Sequence, residues 1–120
     1  APGIPQVYYM GLLAGKNDIE LLEETKVGRN INRHYYSKTE IESEVKRPVV
    51  QKLIKLMEFR NSYPAFEGDY LIHDSEREEE LKISWQQGEA EAHLTADFSK
   101  NSFEIKYFNQ EEAELRTLSL

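Results

Sequence analysis

Leu81–Tyr107 reads LKISWQQGEAEAHLTADFSKNSFEIKY, and its period of two decides half of the fold. Leu81, Ile83 and Trp85 alternate with Lys82, Ser84 and Gln86. Ala90, Ala92, Leu94, Ala96 and Phe98 alternate with Glu91, His93, Thr95 and Asp97, and Phe103, Ile105 and Tyr107 with Glu104 and Lys106. Successive side chains of a strand point to opposite faces, so each run predicts a strand with one dry and one wet face. Gly88 and Lys100-Asn101 stand where tight turns are needed, and the whole predicts an antiparallel meander. Asp69–His73 extends it at one end and Ala113–Leu118 at the other, with the acidic run Asp74–Glu80 as a solvated loop.

Before Phe66 the period changes to that of a helix. Val49, Leu53, Leu56, Met57 and Arg60 mark one face, with Pro48 in the first turn and Pro64 disfavouring helical geometry at Tyr63. That helix, Pro48 to Asn61, is the expected cover for the dry face of the sheet. Ser37-Lys-Thr-Glu40 has the form of a capping box and predicts a helix through Val45. Asn17–Lys26 predicts a short helix capped by Asn17 or Asp18, with Gly28 just past its end. Pro2–Gly11 (PGIPQVYYMG) is almost wholly apolar and reads as one strand of a parallel sheet buried on both faces. A lone parallel strand needs neighbours for its backbone groups, so the expectation is a C-terminal piece of a larger enzyme.

Between these elements lies Gly28–Ser37, GRNINRHYYS. Two arginines, two asparagines, a histidine and two tyrosines in so short a span suit a ligand site. Arg29 and Arg33 are the preferred ligand groups, whereas Lys46 and Arg47 read as surface and helix-end charge. His73 and His93 read as surface residues, and Trp85 and Tyr107 as core rather than a sugar platform. With 120 residues and no cysteine, the chain fits one domain, or a small domain with an appendage, in a reducing compartment, so the cytoplasm is the expected location. The net charge of -7 argues against nucleic acid and against anionic membrane surfaces as partners. There is no EF-hand pattern, metal-ligand spacing or glycine-rich phosphate loop, so neither a metal nor a cofactor is expected.

PGIPQVYY resembles the eighth barrel strand of the α-amylase family of glycoside hydrolases. LLAGKND, then GRNINRHYYS, then RPVVQKLIKLMEFRN, resemble the sucrose phosphorylase branch of that family, and the likeness runs from Pro2 to about Gly68. It implies an α+β fragment. Residues 1–65 would supply the last strand, active-site loop and last helices of a (β/α)8 barrel, and residues 66–120 a small C-terminal antiparallel β domain. It implies conversion of sucrose and phosphate to α-glucose 1-phosphate and fructose by a retaining double displacement. The catalytic carboxylates would lie upstream, so no catalytic residue is expected in this chain and the fragment alone should be inactive. It implies Arg29 as a sugar-binding residue of the glucosyl subsite, with Asn30, Arg33, His34 and Tyr35 as supports around it. The implied partners are the glucosyl substrate, phosphate and the rest of the barrel, and a homodimer is a further expectation. Two alternatives stand beside this: a non-catalytic structural or sugar-binding β domain, or part of a related α-glucoside phosphorylase.

Overall fold

The computed structural model describes residues 5–109 and 113–120. The chain forms two compact units, Pro2–Met57 and Glu58–Leu120.

The first unit is helical. A single turn, α1 (Tyr9–Leu12), is followed by α2 (Ile19–Thr25), a 3-10 turn (Gly28–Asn32), α3 (Lys38–Glu44) and most of α4 (Pro48–Ser62). Asp18 caps α2 by accepting a hydrogen bond from Leu21 N at 2.9 Å. The helix ends at Lys26, whose φ of 54° gives the left-handed stop that the sequence assigns to Gly28. The capping box of α3 is complete: Glu40 N donates to Ser37 Oγ, and Ser37 N to Glu40 Oε2. Pro48 opens α4 and Ser62 closes it.

Two expectations are corrected here. The parallel strand does not form over the described part of Pro2–Gly11: Tyr8 is extended, and the chain then turns into α1. Parallel strands take their hydrogen bonds from neighbours, and no strand among the described residues lies in this unit to give them. Pro2–Ile4 lie outside the described residues. In α4, Val50 rather than Val49 is the fully buried residue, and Val49 is about half exposed. Apolar residues occupy both positions, so the helical period alone leaves the phase of the buried stripe open.

The second unit is a five-stranded antiparallel meander in the order β1 (Asp69–His73), β2 (Glu80–Gln87), β3 (Ala90–Asp97), β4 (Ser102–Asn109) and β5 (Glu114–Thr117). The register pairs Trp85 with Ala92, Ile83 with Leu94 and Leu81 with Ala96, and sets Tyr107, Ile105 and Phe103 against the same three β3 residues. Directly paired residues share a face, so the predicted apolar set lies on one side throughout. Gly88, at φ 57°, makes the tight β2–β3 turn, a geometry that glycine adopts without steric cost. At the next turn Asn101 takes φ 50°, and Asp97 Oδ1 accepts from Ser99 N and Lys100 N.

The core of this unit is built on small residues. Ala65, Ala90 and Ala92 are buried, and Tyr63, Phe66, Trp85 and Tyr107 pack over them. The cover is the end of α4 and the 3-10 turn Pro64–Glu67. Phe59 stacks on Tyr63 at 5.2 Å and meets Tyr107 at 5.1 Å, and Phe66 lies 5.1 Å from Trp85. The Tyr63 hydroxyl sits 2.7 Å from Phe108 O and 3.2 Å from Glu91 O, so its single proton serves two strand carbonyls. Trp85 and Tyr107 are thus committed to packing. Gly68 permits the closest approach in this unit: a Cβ there would stand 2.0 Å from Gln86 O of β2.

We expect Gly68→Ala to destabilise this unit by about 1–3 kcal/mol, because backbone must move to admit the methyl group. Gly28→Ala, with nothing within 4 Å, should be close to neutral. Denaturant unfolding followed by fluorescence of Trp85, the sole tryptophan, measures the first. Equal stability of Gly68→Ala and the parent would contradict the close approach.

Candidate functional site

GRNINRHYYS is ordered by its neighbours more than by itself. The 3-10 turn Gly28–Asn32 buries none of its residues and has no side-chain cap at its N-terminus. It is fastened to α2 at two places. Asn30 Nδ2 donates to Thr25 Oγ1 at 3.0 Å, and Asp18 N donates to Ile31 O at 2.6 Å.

His34 follows after Arg33 and meets two acids. Its Nδ1 lies 2.6 Å from Asp18 Oδ2, and its Nε2 lies 3.5 Å from Glu40 Oε1. Tyr9 Oη donates to His34 O at 3.0 Å, and the Tyr36 ring stands edge-on to the imidazole at 4.6 Å. Gly15 makes room for Tyr36, since a Cβ there would meet Tyr36 Oη at 2.5 Å and Met10 Cε at 2.8 Å. The Asp18 hydrogen bond is the main cause that raises the His34 pKa above its ordinary value, with Glu40 adding to it. Asp18 is lowered first by the Leu21 N–H and then by His34, and Glu40 first by the Ser37 N–H. Burial raises the Tyr36 phenol.

An open cleft of about 820 Å³ is lined by Asp18, His34, Tyr36, Glu40, Glu44 and Arg47 among others. Arg47 Nη1 donates to Leu13 O at 3.2 Å and Ala14 O at 3.4 Å, and pairs with Glu44. It thereby satisfies carbonyls just past the end of α1, a more specific task than surface charge.

Of the residues named from sequence, the cleft includes His34 but not Arg29, Asn30, Arg33 or Tyr35. Tyr35 is 77% exposed. Arg29 and Arg33 are exposed, and among the described residues neither guanidinium has a hydrogen bond or an ion pair. That is notable in a chain with 22 acidic and 15 basic residues, where Arg47 and Arg77 are both paired. Each fork can therefore present its donors to neighbouring hydroxyls or to a carboxylate. Asp18 and Glu40 were visible in the sequence only as helix caps. Their second role, as partners of His34, had no local signal, because it depends on contacts across 16 and 6 positions.

No family model matches the chain. Among curated proteins, it is 46% identical over 117 residues to sucrose 6(F)-phosphate phosphorylase of Thermoanaerobacterium thermosaccharolyticum, a match covering 98% of this chain and 24% of the relative. It is 44% identical over 117 residues to glucosylglycerol phosphorylase of Marinobacter adhaerens, with the same coverage of 98% and 24%. It is 55% identical over 94 residues to sucrose phosphorylase of Streptococcus mutans, covering 78% of this chain and 20% of the relative. The crystal structure of the Thermoanaerobacter thermosaccharolyticum sucrose 6F-phosphate phosphorylase matches 99% of the chain and 24% of that protein, with a TM-score of 0.93 and 44% identity. The chain thus spans about a quarter of the length of the relatives it matches.

The signs of the pKa shifts give the bridge a pH window. His34 is raised, so its contribution to stability is complete below the ordinary value of about 6.5 and is lost as pH climbs through the raised value. Asp18 and Glu40 are lowered, so theirs is present above ordinary carboxylate values and is lost as pH falls through the lowered ones. We expect an NMR titration of the His34 ring to give a midpoint above 6.5 that Asp18→Asn brings down. An unchanged midpoint in that variant would remove Asp18 as the cause.

Proposed function

The chain belongs to the sucrose phosphorylase family, corresponding to a C-terminal part about 24% of its relatives' length, and we propose that it is the segment of an α-glucoside phosphorylase that ends the catalytic barrel and continues into a β domain. In this proposal residues 1–65 contribute the last barrel strand, the loop after it and the closing helices, and residues 66–120 the C-terminal β domain. Within the whole protein, the missing barrel strands would pair with Pro5–Tyr8.

The reaction proposed is transfer of a glucosyl group from sucrose to phosphate, with retention through a covalent glucosyl-enzyme. This segment brings no catalytic carboxylate to it. What it brings is Arg29. The observation that carries the assignment is the exposed Arg29 guanidinium, without a hydrogen bond or ion pair among the described residues, on a turn fastened to both ends of α2. Its planar fork can hold two hydroxyls of the sugar ring, or a carboxylate that binds them, and so fix the glucosyl unit away from the reacting carbon. Asn30 supports the turn through Thr25. Arg33 and Tyr35 are exposed beside it, available to the rest of the active site. The reaction would proceed in the cytoplasm.

The leaving group is a second question that the relatives pose. The two named above that match nearly the whole chain are, by name, phosphorylases of sucrose 6(F)-phosphate and of glucosylglycerol, and a third is one of sucrose. All three share the glucosyl side that Arg29 would hold. Sucrose is the substrate we propose, and parallel phosphorolysis assays of the full-length protein with the three glucosides decide it. Fastest release of glucose 1-phosphate from sucrose is the expected result; a faster rate with either of the others would change the substrate and leave the glucosyl site in place.

In the full-length protein, Arg29→Ala should lower kcat/KM for phosphorolysis on the order of 10- to 100-fold, since hydrogen bonds to a charged group contribute roughly 1.5–3 kcal/mol. The melting temperature should stay close to that of the parent, because the exposed side chain makes no hydrogen bond or ion pair among the described residues. Wild-type kinetics in a folded variant would remove Arg29 from the subsite.

A further inference from the structure

We propose that His34 is a positioning residue for Arg29: by joining Asp18 to Glu40 it sets where the Gly28–Asn32 turn stands. The inference rests on the assignment of Arg29 to the glucosyl subsite.

The turn cannot set its own position. It is a five-residue 3-10 segment without a buried side chain, and isolated segments of that kind are marginal. Its place is dictated by two tethers just past Arg29, one to each end of α2. At the C-terminal end of α2, Asn30 Nδ2 donates to Thr25 Oγ1. At its N-terminal cap, Asp18 takes Ile31 O with its N–H and His34 Nδ1 with its carboxylate. One residue thus fastens the end of the turn twice. His34 carries the restraint onward to Glu40 at the start of α3, so the segment bearing Arg29 is strung between two helix N-termini.

The ring is poorly placed to act as a proton shuttle, because each nitrogen already faces a carboxylate. The titratable groups that face it are Asp18 from the cap of α2, Glu40 from α3 and the Tyr36 phenol, and Tyr9 holds its backbone carbonyl. No other histidine lies in the unit, and none of the remaining arginines or lysines on these elements reaches both acids among the described residues. The geometry therefore assigns the ring a mechanical role: it converts two helix caps into one fixed frame.

The test is a mutant cycle in the full-length enzyme, using Arg29→Ala, His34→Ala, His34→Gln and the Arg29→Ala/His34→Ala double variant. Misplacing a binding group by about 1 Å can cost on the order of 100-fold, so His34→Ala should lower kcat/KM about 10- to 100-fold. In the Arg29→Ala background the same change should add less than about twofold, because the group it positions is already gone. His34→Gln, which keeps an N–H donor toward Asp18, should recover most of the activity and serves as the measure if the alanine variant does not fold. Losses that multiply in the double variant would overturn the proposal, as would a wild-type rate for His34→Ala beside an impaired Arg29→Ala. Normal activity of Arg29→Ala alone would instead overturn the subsite assignment, which keeps the two failures distinct.

Discussion

Besides the first rung of the α2 ladder, Asp18 makes three hydrogen bonds of different kind. Its carboxylate accepts from Leu21 N and from His34, and its own N–H donates to Ile31 O. The first starts a helix, the second captures an imidazole and the third seats a 3-10 turn. Each alone is an ordinary contact that solvent weakens. Together they leave the polar segment between Gly28 and Ser37 little freedom, although that segment buries almost nothing. Order comes to it through directional contacts rather than through a core.

The β unit is stabilised by the opposite means. Its rings lie on a floor of alanines, where a larger residue would lift Tyr63, Phe66 and Trp85 away from the strands. Ala90 and Ala92 are nearly or fully inaccessible, and Ala92 stands between Trp85 and Tyr107 in the register. Aromatic residues bury large areas and hold defined mutual angles, so a few suffice for a sheet this small. A polar demand that this packing creates, the Tyr63 hydroxyl, is met by strand carbonyls.

How much of this the sequence disclosed depends on how local the cause is. The sheet was legible because a period of two and a few turn residues act over neighbouring positions. β1 runs over Asp69–His73 as expected, and the last strand is shorter than Ala113–Leu118. The capping box at Ser37 and the stop before Pro64 were legible for the same reason. The parallel strand was not, because a strand is defined by its partners, and the apolar run that encodes burial does not bring them. The phase of α4 was ambiguous because Val49 and Val50 are equally apolar. In the candidate site, the richness of GRNINRHYYS was plain, whereas the division of labour within it was not. Asp18 and Glu40 carried the signature of caps, and nothing in a cap tells which imidazole it will meet.

The order β1-β2-β3-β4-β5 has a kinetic consequence. Every strand pairs with the one next to it in sequence, so each ladder closes only a short loop, and the loop-closure entropy that slows most β proteins is small here. The sheet can zip hairpin by hairpin without waiting for a distant segment. A parallel barrel, by contrast, closes only when its last strand reaches its first. In a protein that joins the two, the meander would reach its native pairing on its own clock, ahead of the slower closure of the barrel.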